Sequence, residues 1–164
     1  MLYYPTPLEM WITTFYKRLG IFLPSEINEE AISQKLGIYL FYKNLPTNAY
    51  ENGRFKSITI DIRLSAEDQR EAFFHELCHL LRHVGWQAGM MPEAFRELQE
   101  YDSNNFTRYA AVPFHMLRLF DIHDENVVIN IAEACKVSES LVSDRLERIK
   151  FSAVSRIRTK GGFI

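Results

Sequence analysis

The sequence predicts an α+β fold, mostly helical, with one small sheet placed immediately before a histidine-bearing helix. Two observations carry this. Apolar residues recur at helical spacing through most of the chain, and only two short stretches, "IYLFY" (38–42) and "SITID" (57–61), are rich in β-branched and aromatic residues. A third concerns bulk: 47% hydrophobic and 24% charged residues in a chain of 164 allow a full core and argue against disorder.

The first helix is expected in "TPLEMWITTFYKRLG". Thr6 and Glu9 have capping-box spacing, and Pro7 suits the first helical position. Leu8, Trp11, Ile12, Phe15 and Leu19 form one apolar stripe that Gly20 can end. A weaker helix, "PSEINEEAISQKLG", ends at Gly37. The two strand-like stretches flank "PTNAYENGR", a run of turn formers that includes Asn52-Gly53, and they read as two paired strands joined by a long loop. Ser65, with Asp68 three residues on, then caps a long helix reaching Val84, with Gly85 as its stop. A helix over 92–111 follows, broken by Pro113, then a short helix to Phe120 and two more near 124–135 and 139–150. The expected organisation is a core over residues 1–120 and a helix-turn-helix-like segment over 121–164, packed as part of the same domain.

Composition narrows the function. A net charge of −2 gives no general pull toward nucleic acid or membrane, although six basic residues stand between Arg145 and Lys160 against Glu147 alone. Those cations suit a solvated helix face and, less readily, a phosphate or acidic partner. Two cysteines, Cys78 and Cys135, lie in apolar helical patterns outside any CxxC, so no disulfide framework is indicated and a reducing compartment fits. The start "MLYYPTPLEM" lacks a secretory pattern, and no uncharged apolar run approaches the ~20 residues of a membrane helix. A cytoplasmic location is the expectation.

The chemistry concentrates in "FFHELCHLLRH" (73–83). With His75 at zero and about 100° per residue, His79 falls near about 40°, while Phe73, Leu77, Leu80 and Val84 gather on the opposite side. Two histidines one turn apart and off the apolar stripe can both reach one zinc at ~2.0–2.1 Å. Glu76, rotated off that axis, can reach the water that zinc activates and carry its proton to a leaving amine. A catalytic zinc needs a third protein ligand. Glu93, Glu97, Glu100, Asp102 and His115 are candidates downstream. His83 is nearer, but three ligands from one straight helix make poor tetrahedral geometry. Spacing does not choose among them.

The combination of "HELCH" (75–79), "QEYDSNNFTRYAAVP" (99–113) and "EACKVSESLVSDRL" (133–146) resembles the ImmA/IrrE family of metallopeptidases across roughly residues 25–150. Within it, the closest likeness is to the ImmA-type branch found beside repressors of phage-like and conjugative elements. The resemblance implies a zincin-like domain holding one zinc ion per chain, with His75, His79 and Glu100 as ligands and Glu76 as the catalytic glutamate. Asn104 becomes a candidate neighbour supporting the ligands. Ser103 and Thr107 stand where relatives usually carry alanine. The resemblance also implies a substrate: a helix-turn-helix repressor encoded nearby, cleaved at a defined site to derepress the mobile element, with an activating protein as a further partner.

"VVINIAEACKVSESLVSDRLERIK" itself looks like a helix-turn-helix, with Ala132 and Ala134 at a close approach, Ser138 as N-cap between Val137 and Val142, and Arg145 and Arg148 on one face. It could read DNA, dock the repressor, or pack beneath the site. Glu139, Asp144 and Glu147 weigh against DNA. Two rivals to the protease stand: a binding protein that keeps the motif without catalysis and acts by contact with a repressor or DNA, and a metal hydrolase of non-protein substrates. A bound peptide is expected to add to the sheet edge near residues 57–61, and Tyr101, Tyr109, His83 and His115 are the candidates for stabilising the oxyanion.

Overall fold

The computed structural model describes residues 3–83 and 92–160, with the helical backbone alone given for 153–160. Helix α1 (Pro7–Arg18) starts as its sequence dictates: Thr6 Oγ1 accepts from Glu9 N at 3.2 Å, and Glu9 Oε2 accepts from Thr6 N at 2.6 Å. A short 3₁₀ turn (Pro24–Glu26) leads to α2 (Glu29–Leu36), which ends at Gly37 with φ 67°, the left-handed cap that glycine adopts without a Cβ clash.

The sheet has three strands rather than two: β1 (Tyr39–Lys43), β2 (Asn48–Asn52) and β3 (Phe55–Asp61), in the order β1-β3-β2. The strands expected from the sequence pair with each other in parallel, Tyr39 opposite Ser57. The turn-rich stretch between them contributes β2, antiparallel to β3, with Asn52 opposite Phe55 across a tight turn in which Gly53 holds φ 59°. Local composition hid this strand. Asn48, Glu51 and Asn52 are poor strand formers and remain exposed, so the ladder to β3 holds β2 in place rather than side-chain burial. The topology also corrects the expected peptide position. Residues 57–61 are flanked on both sides, and the edges of the sheet are β1 and β2.

Helix α3 (Ala66–Arg82) crosses the sheet and packs most extensively on α4 (Glu93–Ala111). Ser65 caps it, accepting from Asp68 N at 3.1 Å. Phe73, Phe74, Leu77, Cys78 and Leu80 are buried against Ile58 and Ile60 of β3 and Phe106, Ala110 and Ala111 of α4, all in one core cluster. Val84 and the Gly85 stop lie outside the described residues. Short α5 (Phe114–Leu117), α6 (Val127–Cys135) and α7 (Glu139–Lys160) complete the chain. Helix α7 runs beyond the expected end at 150, and the sequence holds no Pro or Gly before Gly161 to stop it.

Several polar links hold the C-terminal helices to the rest, among them Arg108 of α4 with Asp144 of α7 and Arg70 of α3 with the Cys135 carbonyl of α6. Ser138 caps α7, its Oγ accepting from Leu141 N at 3.2 Å and donating to Glu71 of α3 at 2.7 Å. Arg145 is fully buried and paired with fully buried Glu9 of α1, its guanidinium over the Tyr109 ring at 4.7 Å. The expectation that Arg145 lies on an open helix face is therefore corrected. Arg148 pairs with Asp144 at 3.1 Å. The supposed recognition face thus has one cation buried and the other beside an acid that Arg108 of α4 also pairs with. Among the described residues, no helix is long and apolar enough to cross a membrane.

Candidate metal centre

His75 and His79 project from successive turns of α3, and Glu100 reaches them from α4. Three side chains converge: His75 Nε2 and His79 Nε2 are 3.2 Å apart, Glu100 Oε2 lies 3.2 Å from the first and Glu100 Oε1 lies 3.4 Å from the second. An ion bound tetrahedrally at ~2.0–2.1 Å requires its donors about 3.3 Å from one another. The residues present therefore fit such an ion, and their chemistry, two imidazoles and a carboxylate, is that of an open zinc site. Burial, then the neighbouring His75, holds His79 down at about 4, so its imidazole is neutral at physiological pH and offers a lone pair.

Glu76 sits beside this triangle, half-buried, with a hydrogen bond from the Ala49 backbone of β2. Burial pushes its carboxyl up to about 7, against the lowering effect of the Ala49 contact, and the Glu100 charge adds to the rise. A carboxyl that both takes and gives a proton near neutrality is what general acid–base catalysis requires. A cation held by the triangle would draw the value back down.

Glu93, Glu97, His115 and Asn104 are placed apart from the three side chains. Glu93 and Glu97 are exposed on α4 outside the triangle. His115 lies tilted against Tyr16, with ring centroids 6.0 Å apart, and lines a cavity of about 760 Å³ together with Thr13, Lys17 and Arg118. Asn104 is exposed and lines a separate hollow with Glu71, Thr107 and Asp144, so the α4 residue that approaches the ligands is Ser103, whose Oγ is 3.4 Å from His79 Nε2. Asn104 lies one residue beyond Ser103, about 100° further round the helix, which turns it to that hollow. Of the oxyanion candidates, Tyr109 lies under Arg145, and exposed Tyr101 adjoins Glu100 on α4.

Sequence spacing missed a second group behind the triangle. His83 Nδ1 is 2.9 Å from His79 Nδ1, His83 Nε2 is 3.2 Å from Asp102 Oδ2, and Arg82 Nε donates to the same oxygen at 2.8 Å. Three histidines at four-residue spacing were the available signal, but His83 read as a poor third ligand; its partner Asp102 comes from another helix.

Residues 33–147 match the family model of the M78 peptidases, described as the IrrE N-terminal-like domain. The chain belongs to this metallopeptidase family. It is 34% identical over 148 residues to the uncharacterized protein YqaB of Bacillus subtilis (strain 168), covering 89% of this chain and 86% of that one. It is 32% identical over 146 residues to the phage-like element PBSX protein XkdA of the same organism, covering 88% and 73%. A solved Mycobacterium tuberculosis transcriptional regulator shares the fold, with a TM-score of 0.62 and 14% identity over 87% of this chain; this chain spans 47% of that longer one.

Proposed function

We propose that the protein is a zinc-dependent endopeptidase of narrow specificity that cleaves a transcriptional repressor and so acts as the anti-repressor of a phage-like element. The single observation carrying the reading is the convergence of His75 Nε2, His79 Nε2 and the two Glu100 carboxylate oxygens, with contacts of 3.2–3.4 Å, and the Glu76 carboxyl beside them. Similarity to a phage-like element protein supports the setting.

His75, His79 and Glu100 hold the ion. Zinc bound there supplies Lewis acidity, polarising the scissile carbonyl and acidifying water. Glu76 takes the proton from the attacking water on its carboxylate and delivers it to the departing amine. The Ala49 contact fixes this carboxylate against β2, so a substrate strand added to the outer edge of β2 passes beside the proton carrier. Main-chain pairing there favours an extended segment of the repressor over a folded surface.

The test combines metal analysis with cleavage of the purified repressor encoded beside the gene. Wild type should hold about one zinc per chain, and His79→Ala should lose it. Glu76→Gln should keep the zinc and lose cleavage by about 10²–10⁴-fold. A Glu76→Gln variant that still relieves repression in cells would favour regulation by contact. A folded wild type that binds no zinc at micromolar supply would overturn the metal assignment.

A further inference from the structure

We propose that His83 is a positioning residue that fixes which nitrogen of His79 carries the proton, and so holds His79 Nε2 ready for the metal. The inference rests on the zinc reading above and assigns a residue that reading leaves without a role.

With a metal on His79 Nε2, the hydrogen-bond polarity admits one arrangement. His79 Nε2 faces the triangle, 3.2 Å from His75 Nε2 and 3.4 Å from Glu100. A ligating nitrogen carries no proton, so the single proton of neutral His79 must sit on Nδ1. That atom lies 2.9 Å from His83 Nδ1, which must therefore accept. His83 then carries its own proton on Nε2 and donates it to Asp102 Oδ2 at 3.2 Å. Asp102 accepts again from Arg82 Nε at 2.8 Å, which keeps the carboxylate an acceptor. Reversing the His83 tautomer would either set two N–H groups against each other or force the His79 proton onto the ligating nitrogen.

The surroundings favour a lock of this kind over a second ion. Cys78 Sγ, His83 and Asp102 also lie close enough to share a metal. However, Arg82 already pairs with Asp102 at 2.8 Å, and Cys78 is fully buried. His83 is itself buried, so water competes poorly for its nitrogens. Partners of this type behind a ligating histidine orient the ring and raise its basicity, and losing one typically weakens metal binding by about 10–100-fold.

The experiment is zinc affinity by competition with a chromophoric chelator, on wild type, His83→Phe and His83→Gln, with circular dichroism as the check on folding. His83→Phe keeps the ring and loses the acceptor, and should bind zinc about 10–100-fold more weakly. His83→Gln offers a side-chain oxygen to His79 Nδ1–H and should recover part of the loss. Nitrogen-15 NMR of zinc-loaded wild type, which needs no variant to fold, should place the His79 proton on Nδ1 and the His83 proton on Nε2. Equal affinity in His83→Phe, a His83 proton on Nδ1, or two zinc ions per wild-type chain falling to one in His83→Phe would each overturn this role alone. A wild type that takes up no zinc overturns the metal reading and this inference with it.

Discussion

Two polar clusters are each built around a glutamate, buried Glu9 and exposed Glu100, and they differ in the sign of what converges. At Glu9, donors meet an acceptor. The carboxylate accepts from Tyr3 Oη at 2.6 Å, from Thr6 N at 2.6 Å and from the Arg145 guanidinium, so the charge is matched within the chain. At Glu100, acceptors meet acceptors. Two imidazole nitrogens and a carboxylate share a space 3.2–3.4 Å across, an arrangement that calls for a cation. The first cluster fastens α7 to α1, whereas the second is suited to binding. Counting donors against acceptors separates them, in step with burial: Glu9 is fully buried and Glu100 is exposed.

Three outcomes would break or sharpen that contrast. The largest is expected at the closed cluster. Arg145→Ala leaves Glu9 charged and fully buried without its main partner, and should cost about 3–5 kcal/mol by denaturant unfolding. Zinc uptake per folded molecule should stay unchanged; a variant that keeps its stability but loses zinc would mean the two clusters are coupled.

The next concerns Glu76 in metal-free protein. Its folded value of about 7 exceeds its ordinary value of 4.5, so the folded state binds the extra proton and stability falls as pH rises between them. Glu76→Gln removes this penalty. It should stabilise the metal-free protein at pH 8 by about 1–3 kcal/mol and by almost nothing at pH 4. Unfolding curves at the two pH values decide it, and an equal effect at both would show that ionisation is not the cause.

The smallest effect is kinetic. Burial raises Cys78 to about 12 and Cys135 to about 11. Both thiols should resist iodoacetamide at pH 8 in the folded protein and react on unfolding, as followed by mass spectrometry. Rapid labelling of Cys78 alone would show that the group behind the triangle is open to solvent.

Much of this was readable from the chain. Thr6, Pro7 and Glu9 announce α1, Ser65 announces α3, and the two histidines of α3 stand one turn apart wherever that helix forms. What escaped depended on distant partners. Strand β2 exists through its ladder to β3, which Asn48 and Glu51 do not advertise. Arg145 looks like a surface cation until Glu9, far away in sequence, is brought beneath it. Glu100 could not be chosen from spacing among Glu93, Glu97 and Asp102, because the choice depends on how α4 is rotated against α3. Family resemblance named it, and the packing places it beside both histidines.

The histidines and Glu100 belong to different helices, joined by the chain between His79 and Glu100. On the zinc reading, an ion gripped from both sides closes that stretch into a ring and fastens α4 to α3. Its binding energy is then folding energy, growing as RT ln(1 + [Zn]/Kd), about 2.7 kcal/mol at a hundredfold excess over Kd. The cell's free metal level would set the lifetime of the enzyme as well as its rate.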